Sequence, residues 1–271
     1  MSIETLTAIV RCGRLSCRSV PGRKAALGRE TCDKGRDLKS ERKDHSAGRT
    51  AGAWQIVANT LQADIIFGRI HLREHLVEDE IMKRLDISRH TTRRALDELE
   101  RLGLTVREPN RGVYVRSYTA DEVEDLYEIR EMLETRGASR IPLPASRELI
   151  KRLSYLQEQH ETASHEERLV DVTSLNNEFH DTLYQACGNP MLSEAIRLYS
   201  LRTQPIRVMY SSDPSWRRQA VADHWRIIRA LKQRDSNALS MLCREHLRGP
   251  KLHYLKLYHI SHMKKTIAIR A

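Results

Sequence analysis

Three histidines, His180, His224 and His246, fall on the apolar stripes of segments with helical spacing. His180 lies among Leu169, Val172, Phe179 and Leu183, His224 among Val221, Trp225 and Ile228, and His246 among Leu239, Leu242 and Cys243. A single inward histidine is usually a core residue hydrogen-bonded to a neighbour. Three in phase on neighbouring helices can converge on one divalent metal ion, as ligands in helix bundles do. An imidazole-rich set suits Zn, Ni or a similar ion and does not choose among them. Asn176, four residues before His180, shares its helix face.

A second constellation suits a polyanion. Ser88 and Arg89 open a segment of helical spacing, where free backbone N–H groups and the helix dipole favour phosphate. Arg89 and Arg93 are four apart and project from one face, which fits the major groove and bidentate reading of guanine. Arg94 lies about 100° further round and is better placed for phosphate. Asn110, Arg111 and Gly112 form a turn whose glycine allows close backbone approach and whose arginine can enter a minor groove. The same arginines could simply solvate a surface helix; the order of the surrounding elements favours DNA.

Those elements follow from periodicity and punctuation. Residues 54–67 carry apolar positions at Ile56, Val57, Leu61, Ile65 and Ile66, and Gly68 stops that helix. A second helix fits 77–85. Ser88 caps a third running to about Leu102, with Gly103 behind it. Two β-rich runs, 104–107 and 113–116, flank a Pro/Asn/Gly turn and predict a hairpin. Three helices and a hairpin make a winged helix-turn-helix. Beyond it the text is helical. Thr119 and Glu122 form a capping box for a helix to about Arg140. Further helices fit 146–164, 166–187, 189–209, 213–234 and 235–258. Asn189-Pro190 and Asp213-Pro214 each place an N-cap before a first-turn proline. The last dozen residues are basic and expected to fray.

Composition agrees. The 271 residues carry 46 Lys+Arg and 36 Asp+Glu, a net +10 that suits nucleic acid. Residues 1–50, with twelve Lys/Arg and six Asp/Glu, read as a basic disordered extension or as the product of a start assigned too early. The odd number of cysteines, five, suggests no disulfide framework and points to a reducing cytoplasm. No apolar run approaches a membrane span.

The chain resembles known families in both halves. Ser88-Arg89, Arg93, Ala95-Leu96, Leu99, Gly103-Leu104 and Arg111-Gly112 look like the signature of the GntR family of bacterial transcription regulators. The resemblance implies DNA contacts from Ser88, Arg89, Arg93, Arg111 and Gly112. There are departures. Arg69 to Arg73 replaces the usual Pro-Gly, and acidic Glu78 and Asp79 open the second helix, where several relatives have a polar or basic DNA contact. Arg130 with Glu134, Asn176 with Phe179-His180, Gly188-Asn189, Asp223-His224 and His246-Leu247 resemble the FCD sensor domain of FadR-type members. That resemblance implies a metal held by Asn176, His180, His224 and His246, with Asn176 where the family usually has Asp. It also implies a small carboxylate or sugar acid beside the metal. Arg130 could fork onto that carboxylate, or form a helix-surface ion pair with Glu134, four residues on.

The resulting expectation is a mainly α protein. A basic extension (1–50) precedes a winged helix-turn-helix (51–117), an all-helical, FCD-like bundle for metal, effector and dimerisation (118–258), and a tail (259–271). The function expected is a cytoplasmic, homodimeric regulator on a palindromic double-stranded operator, and not an enzyme. Two rivals stand beside it: a metal-dependent hydrolase, since three histidines with open positions can activate water, and a sequence-blind architectural DNA binder using the basic extension.

Overall fold

The computed structural model describes residues 47–270, with side chains over 52–260. The extension expected at 1–50 lies almost entirely outside the described residues.

The first part is three helices and a small sheet. Helix α1 (Ala47–Ile66) leads through β1 (His75–Leu76) to α2 (Glu78–Leu85) and α3 (Arg89–Arg101), followed by β2 (Thr105–Glu108) and β3 (Gly112–Val115). The sheet is antiparallel, in the order β1-β3-β2, with Glu108 opposite Gly112 and Leu76 opposite Val113. Val57, Leu61 and Ile65 of α1, Ile81 of α2 and Ala95, Leu96 and Leu99 of α3 form one core closed by Val113 and Val115. The periodicity thus gave the helices. It missed β1, whose two residues are too short to show alternation.

Ser88 caps α3 by accepting from the Thr91 N–H (3.2 Å). The hairpin turns where the Arg111 N–H bonds Glu108 O (3.1 Å), with Pro109 and Asn110 between them. Asn110 has φ 59°, which asparagine tolerates at the third position of a type II turn. Gly112 (φ +100°) suits glycine by its backbone, and a Cβ there, 2.5 Å from His75 Nε2, would also push that exposed ring aside.

The second part is a helical bundle: α4 (Ala120–Ser139), α5 (Arg147–His165), α6 (Leu169–Gln185), α7 (Pro190–Arg202), α8 (Gln204–Ser211), α9 (Pro214–Gln233), α10 (Ser236–His246) and α11 (Arg248–Arg270). The capping box is formed in both directions between Thr119 and Glu122, and Asn189 and Asp213 cap α7 and α9. Phe179, Leu183, Leu153, Leu156, Ile227, Ile228 and Leu239 make the core.

Two expected helices are broken. Residues 189–209 divide at Thr203, because Pro205 has no N–H to continue the ladder and the Thr203 hydroxyl bonds the Ser200 carbonyl (3.0 Å). Residues 235–258 divide at Leu247, where Gly249 and Pro250 follow and Pro250 cannot donate back to His246. The α11 backbone runs to Arg270. No helix among the described residues is long and apolar enough to cross a membrane.

Candidate metal and anion site and nucleic-acid interface

The three histidines come from α6, the middle of α9 and the last residue of α10, and their rings meet inside the bundle. His180 Nε2 lies 3.2 Å from His246 Nε2 and 3.3 Å from His224 Nε2. His224 is fully buried and stacks on Phe179 (ring centroids 4.2 Å).

The outer nitrogens fix the tautomers. The Gln157 amide nitrogen donates to Val221 O (3.2 Å), so its oxygen faces His224 Nδ1 (2.7 Å) and must accept from it. Asp223 is an acceptor for His246 Nδ1 (3.3 Å). Both rings therefore turn lone pairs on Nε2 toward the centre and toward His180 Nε2, an arrangement that a shared cation would bind. At a metal–nitrogen distance of about 2.0–2.1 Å, two nitrogens stand about 2.9 Å apart at a right angle and about 3.3 Å apart at a tetrahedral one. The observed spacings fall in that range, so the donor set fits a divalent ion.

Burial holds His180 and His224 well below the ordinary histidine value, and the neighbouring imidazoles push the same way. Both are neutral at pH 7, the ligating form. Burial works against the Asp223 carboxylate, but the bond to His246, the charges of His246 and Arg226 and the bond from Gln219 together outweigh it and keep it below the usual carboxylate range.

A cavity of about 30 Å³ adjoins the centre, lined among others by His160, Asn176, Arg207, Arg217 and His246. Asn176 is half-buried, one turn before His180. Arg207, 8 % exposed, donates to Ser200 Oγ (2.6 Å) and Asn177 Oδ1 (2.7 Å), both neutral, and pairs with no carboxylate among the described residues. Burial and the charge of Arg130 push it down to about 10, so it stays charged at neutral pH. Arg217 donates to the Ser211 and Ser212 carbonyls and to the exposed Glu167, and its buried Nε has no partner. His160 is 1 % exposed, its Nδ1 has no partner, and burial pushes it down to about 4.

Arg130 lies elsewhere. It is buried in an ion pair with Glu134 (2.7 Å), donates to Thr203 Oγ1 (3.0 Å) and does not line the cavity. Of the two roles expected for it, the structure places it in the ion pair, and that pair is buried rather than on the surface.

Sequence reasoning missed Gln157, His160, Arg207 and Arg217. His160 and Gln157 were within reach, since Leu153, Leu156, Gln157 and His160 follow one helical stripe. Arg207 was hidden because the break at Thr203 resets the phase of its helix.

On the winged part, Ser88, Arg89, Arg93, Arg94, Asn110, Arg111 and Gly112 are all exposed. The Ser88 hydroxyl is shared between the cap and Thr91 Oγ1 (2.9 Å). Arg94 lies over the Trp54 ring (4.8 Å), and Arg111 pairs with Glu108 (2.6 Å). Arg89 and Arg93 each meet an acidic residue of α2: Arg89 Nη2 lies 2.8 Å from Asp79 and Arg93 Nε 3.0 Å from Glu78.

Family models match both parts: "Bacterial regulatory proteins, gntR family" over residues 55–115 and "FCD domain" over residues 125–249. The chain belongs to the GntR family. This GntR regulator is 26 % identical over 193 residues to the HTH-type transcriptional repressor RspR of Escherichia coli K12, covering 71 % of this chain and 85 % of RspR. It is 28 % identical over 204 residues to the Uxu operon transcriptional regulator of the same organism, covering 68 % and 79 %. A GntR regulator structure from Rhodococcus sp. RHA1 superposes with a TM-score of 0.68 at 25 % identity, over 78 % of this chain and all of that one. The chain is thus a bacterial GntR-family transcription regulator with a winged helix-turn-helix and a helical FCD domain.

Proposed function

We propose that this GntR regulator is a cytoplasmic homodimer whose operator affinity is set by a small carboxylate or sugar acid. The anion would bind beside a Zn, Ni or similar ion held by His180, His224 and His246, with Asn176 as a fourth donor. The observation that carries the reading is Arg207, a buried cation without a counter-ion at the edge of a cavity that also contains an imidazole of the triad. Removing a charge from water without a partner is costly, and an anion entering the cavity supplies one. Arg207 and Arg217 are the anchors we assign, in place of Arg130. With four neutral ligands a bound ion would keep its full +2 and add Lewis-acid attraction for the same anion. We read the centre as sensing rather than hydrolytic, because Asp223, the carboxylate beside it, is engaged by His246 rather than offered to a water.

The route to DNA runs through α8. Gln204, Arg207, Tyr210 and Ser211 form one cavity wall. A volume of about 30 Å³ holds a water or two but no sugar acid, so such a ligand must displace that wall. The helix begins at the Thr203 break, where the single proton of the Tyr118 hydroxyl is shared between Arg202 O (3.0 Å) and Gly103 O (3.2 Å), just beyond α3. Gly103 (φ +79°) lies so close to Arg202 that a Cβ would come within 3.2 Å of it. Movement of α8 is thereby tied to the helix that carries Arg89 and Arg93.

Two reading heads on a palindromic site require a dimer. The exposed Met241 and Leu252, beside a groove of about 510 Å³ between α4, α10 and α11, are our candidates for its interface.

The test titrates Zn-loaded protein with acetate, citrate and gluconate by calorimetry, then repeats binding to its own upstream DNA with each. A carboxylate that binds and shifts DNA affinity by about 5–150-fold, the usual range of coupling, supports the reading. Binding by none of them, or binding without a shift, overturns it.

A further inference from the structure

We propose that Asp79 is a specificity-determining residue of the reading head. Together with Arg89 it recognises a C·G base pair, Arg89 taking guanine and Asp79 accepting from the amino group of a cytosine. The proposal rests on the winged head reading DNA through α3.

Asp79 lies in the first turn of α2, its side chain 74 % exposed, and Arg89 in the first turn of α3, 55 % exposed. Their contact at 2.8 Å is an exposed ion pair, a kind worth little to stability. It does fix where the guanidinium points. Asp79 Oδ1 holds one Nη of the fork, and the remaining N–H groups are free to meet O6 and N7 of guanine. The second carboxylate oxygen stays an acceptor, and the major-groove edge of cytosine presents an N–H₂ donor. A carboxylate held at that edge is repelled by the acceptors of guanine and by the phosphates, so it penalises wrong sites as well as rewarding the right one.

Charge balance points the same way. Residues 51–117 contain eleven Lys/Arg and ten Asp/Glu, a net of only +1. Three cations of the reading face are paired, Arg89 with Asp79, Arg93 with Glu78 and Arg111 with Glu108, while Arg94 lies over Trp54. Such a head gains little from sequence-blind phosphate attraction. Asp79 is the most exposed of these acids.

The test uses the full chain and an Asp79→Asn variant, each selecting from a randomised duplex library, followed by sequencing. Affinities for the selected and for random duplexes are then measured over a salt series. The wild type is expected to prefer C·G at one position of each half-site by about 5-fold or more, the range of one good base contact. Asp79→Asn should weaken that preference several-fold while the other positions hold, since Arg89 still meets guanine. It should also bind random duplex several-fold more tightly, with a salt dependence steeper by about one phosphate contact. Asp79→Glu should keep part of the preference. Identical base preferences in wild type and Asp79→Asn would overturn the proposal, leaving the pair as surface neutralisation. Enrichment of no site by the wild type would overturn operator reading itself, and this assignment with it.

Discussion

Replacing Arg207 by Met should stabilise the anion-free protein and abolish its response to anions, two effects that normally oppose each other in a binding-site variant. The first follows from burial. Burial and the neighbouring charge of Arg130 push the guanidinium well below its ordinary value, to about 10, and at roughly 1.4 kcal/mol per unit this is ~3 kcal/mol of unfavourable charge burial and repulsion. Because the folded value lies below the unfolded one, that cost is present in full below about pH 10 and is relieved only as the pH rises from there toward the unfolded value. It is therefore constant across neutral pH. Met has similar reach and no charge, but it leaves Ser200 Oγ and Asn177 Oδ1 without their donor, at about 1 kcal/mol each. The net expectation is a gain of roughly 1 kcal/mol, or about 2–4 °C in Tm for a chain of this size.

The second effect is the loss of a charge-assisted fork onto a carboxylate, ~1.5–3 kcal/mol or about 10–100-fold in affinity. The assay is thermal unfolding of Zn-loaded wild type and Arg207→Met, with and without citrate or gluconate. A saturating anion at a hundred times Kd should stabilise the wild type by ~2.7 kcal/mol, whereas the variant should barely respond. If Arg207→Met loses several degrees without anion, or binds anion as the wild type does, the argument from an uncompensated charge is wrong.

Three further outcomes are expected. Metal-free protein should lose stability as the pH falls from about 6.5 toward 4, because His160, His180 and His224 bind protons more readily unfolded than folded; His160→Phe should flatten that slope in denaturant titrations, and Zn should shift it to lower pH. Asn176→Asp should tighten Zn binding in competition with a chelator and weaken anion binding, since the added charge offsets part of the ion's +2; unchanged or weaker Zn binding would remove Asn176 from the ligand set. Tyr118→Phe deletes the hydrogen bonds to Gly103 and Arg202, and its ring remains in a site only 4 % exposed; band shifts should show operator binding kept and its effector response reduced at least several-fold, while an undiminished response would place the coupling elsewhere.

The winged head and the triad were legible because each is a matter of phase within an unbroken helix. Ala95, Leu96 and Leu99 set the inward side of α3, so Arg89 and Arg93 had to face out; Phe179 and Leu183 set the inward side of α6, so His180 had to face in. The anchors we propose for an anion were not legible, and the reason is geometric. Arg207 follows a proline break, and its inward direction is set by where α8 starts rather than by α7. Arg130 carries the opposite lesson. Its spacing to Glu134 read as a surface ion pair or a ligand anchor, yet both side chains are buried, 4 % and 2 % exposed. What the sequence could not supply was the third partner: Tyr184 donates to Glu134 (2.9 Å) from another helix, and Thr203 accepts from Arg130 at the break itself. That network answers the charge of Arg130 and ties it to the break at Thr203. Arg130, whose charge is answered within the protein, is structural, whereas Arg207, with no carboxylate partner among the described residues, is the anchor we propose for a ligand.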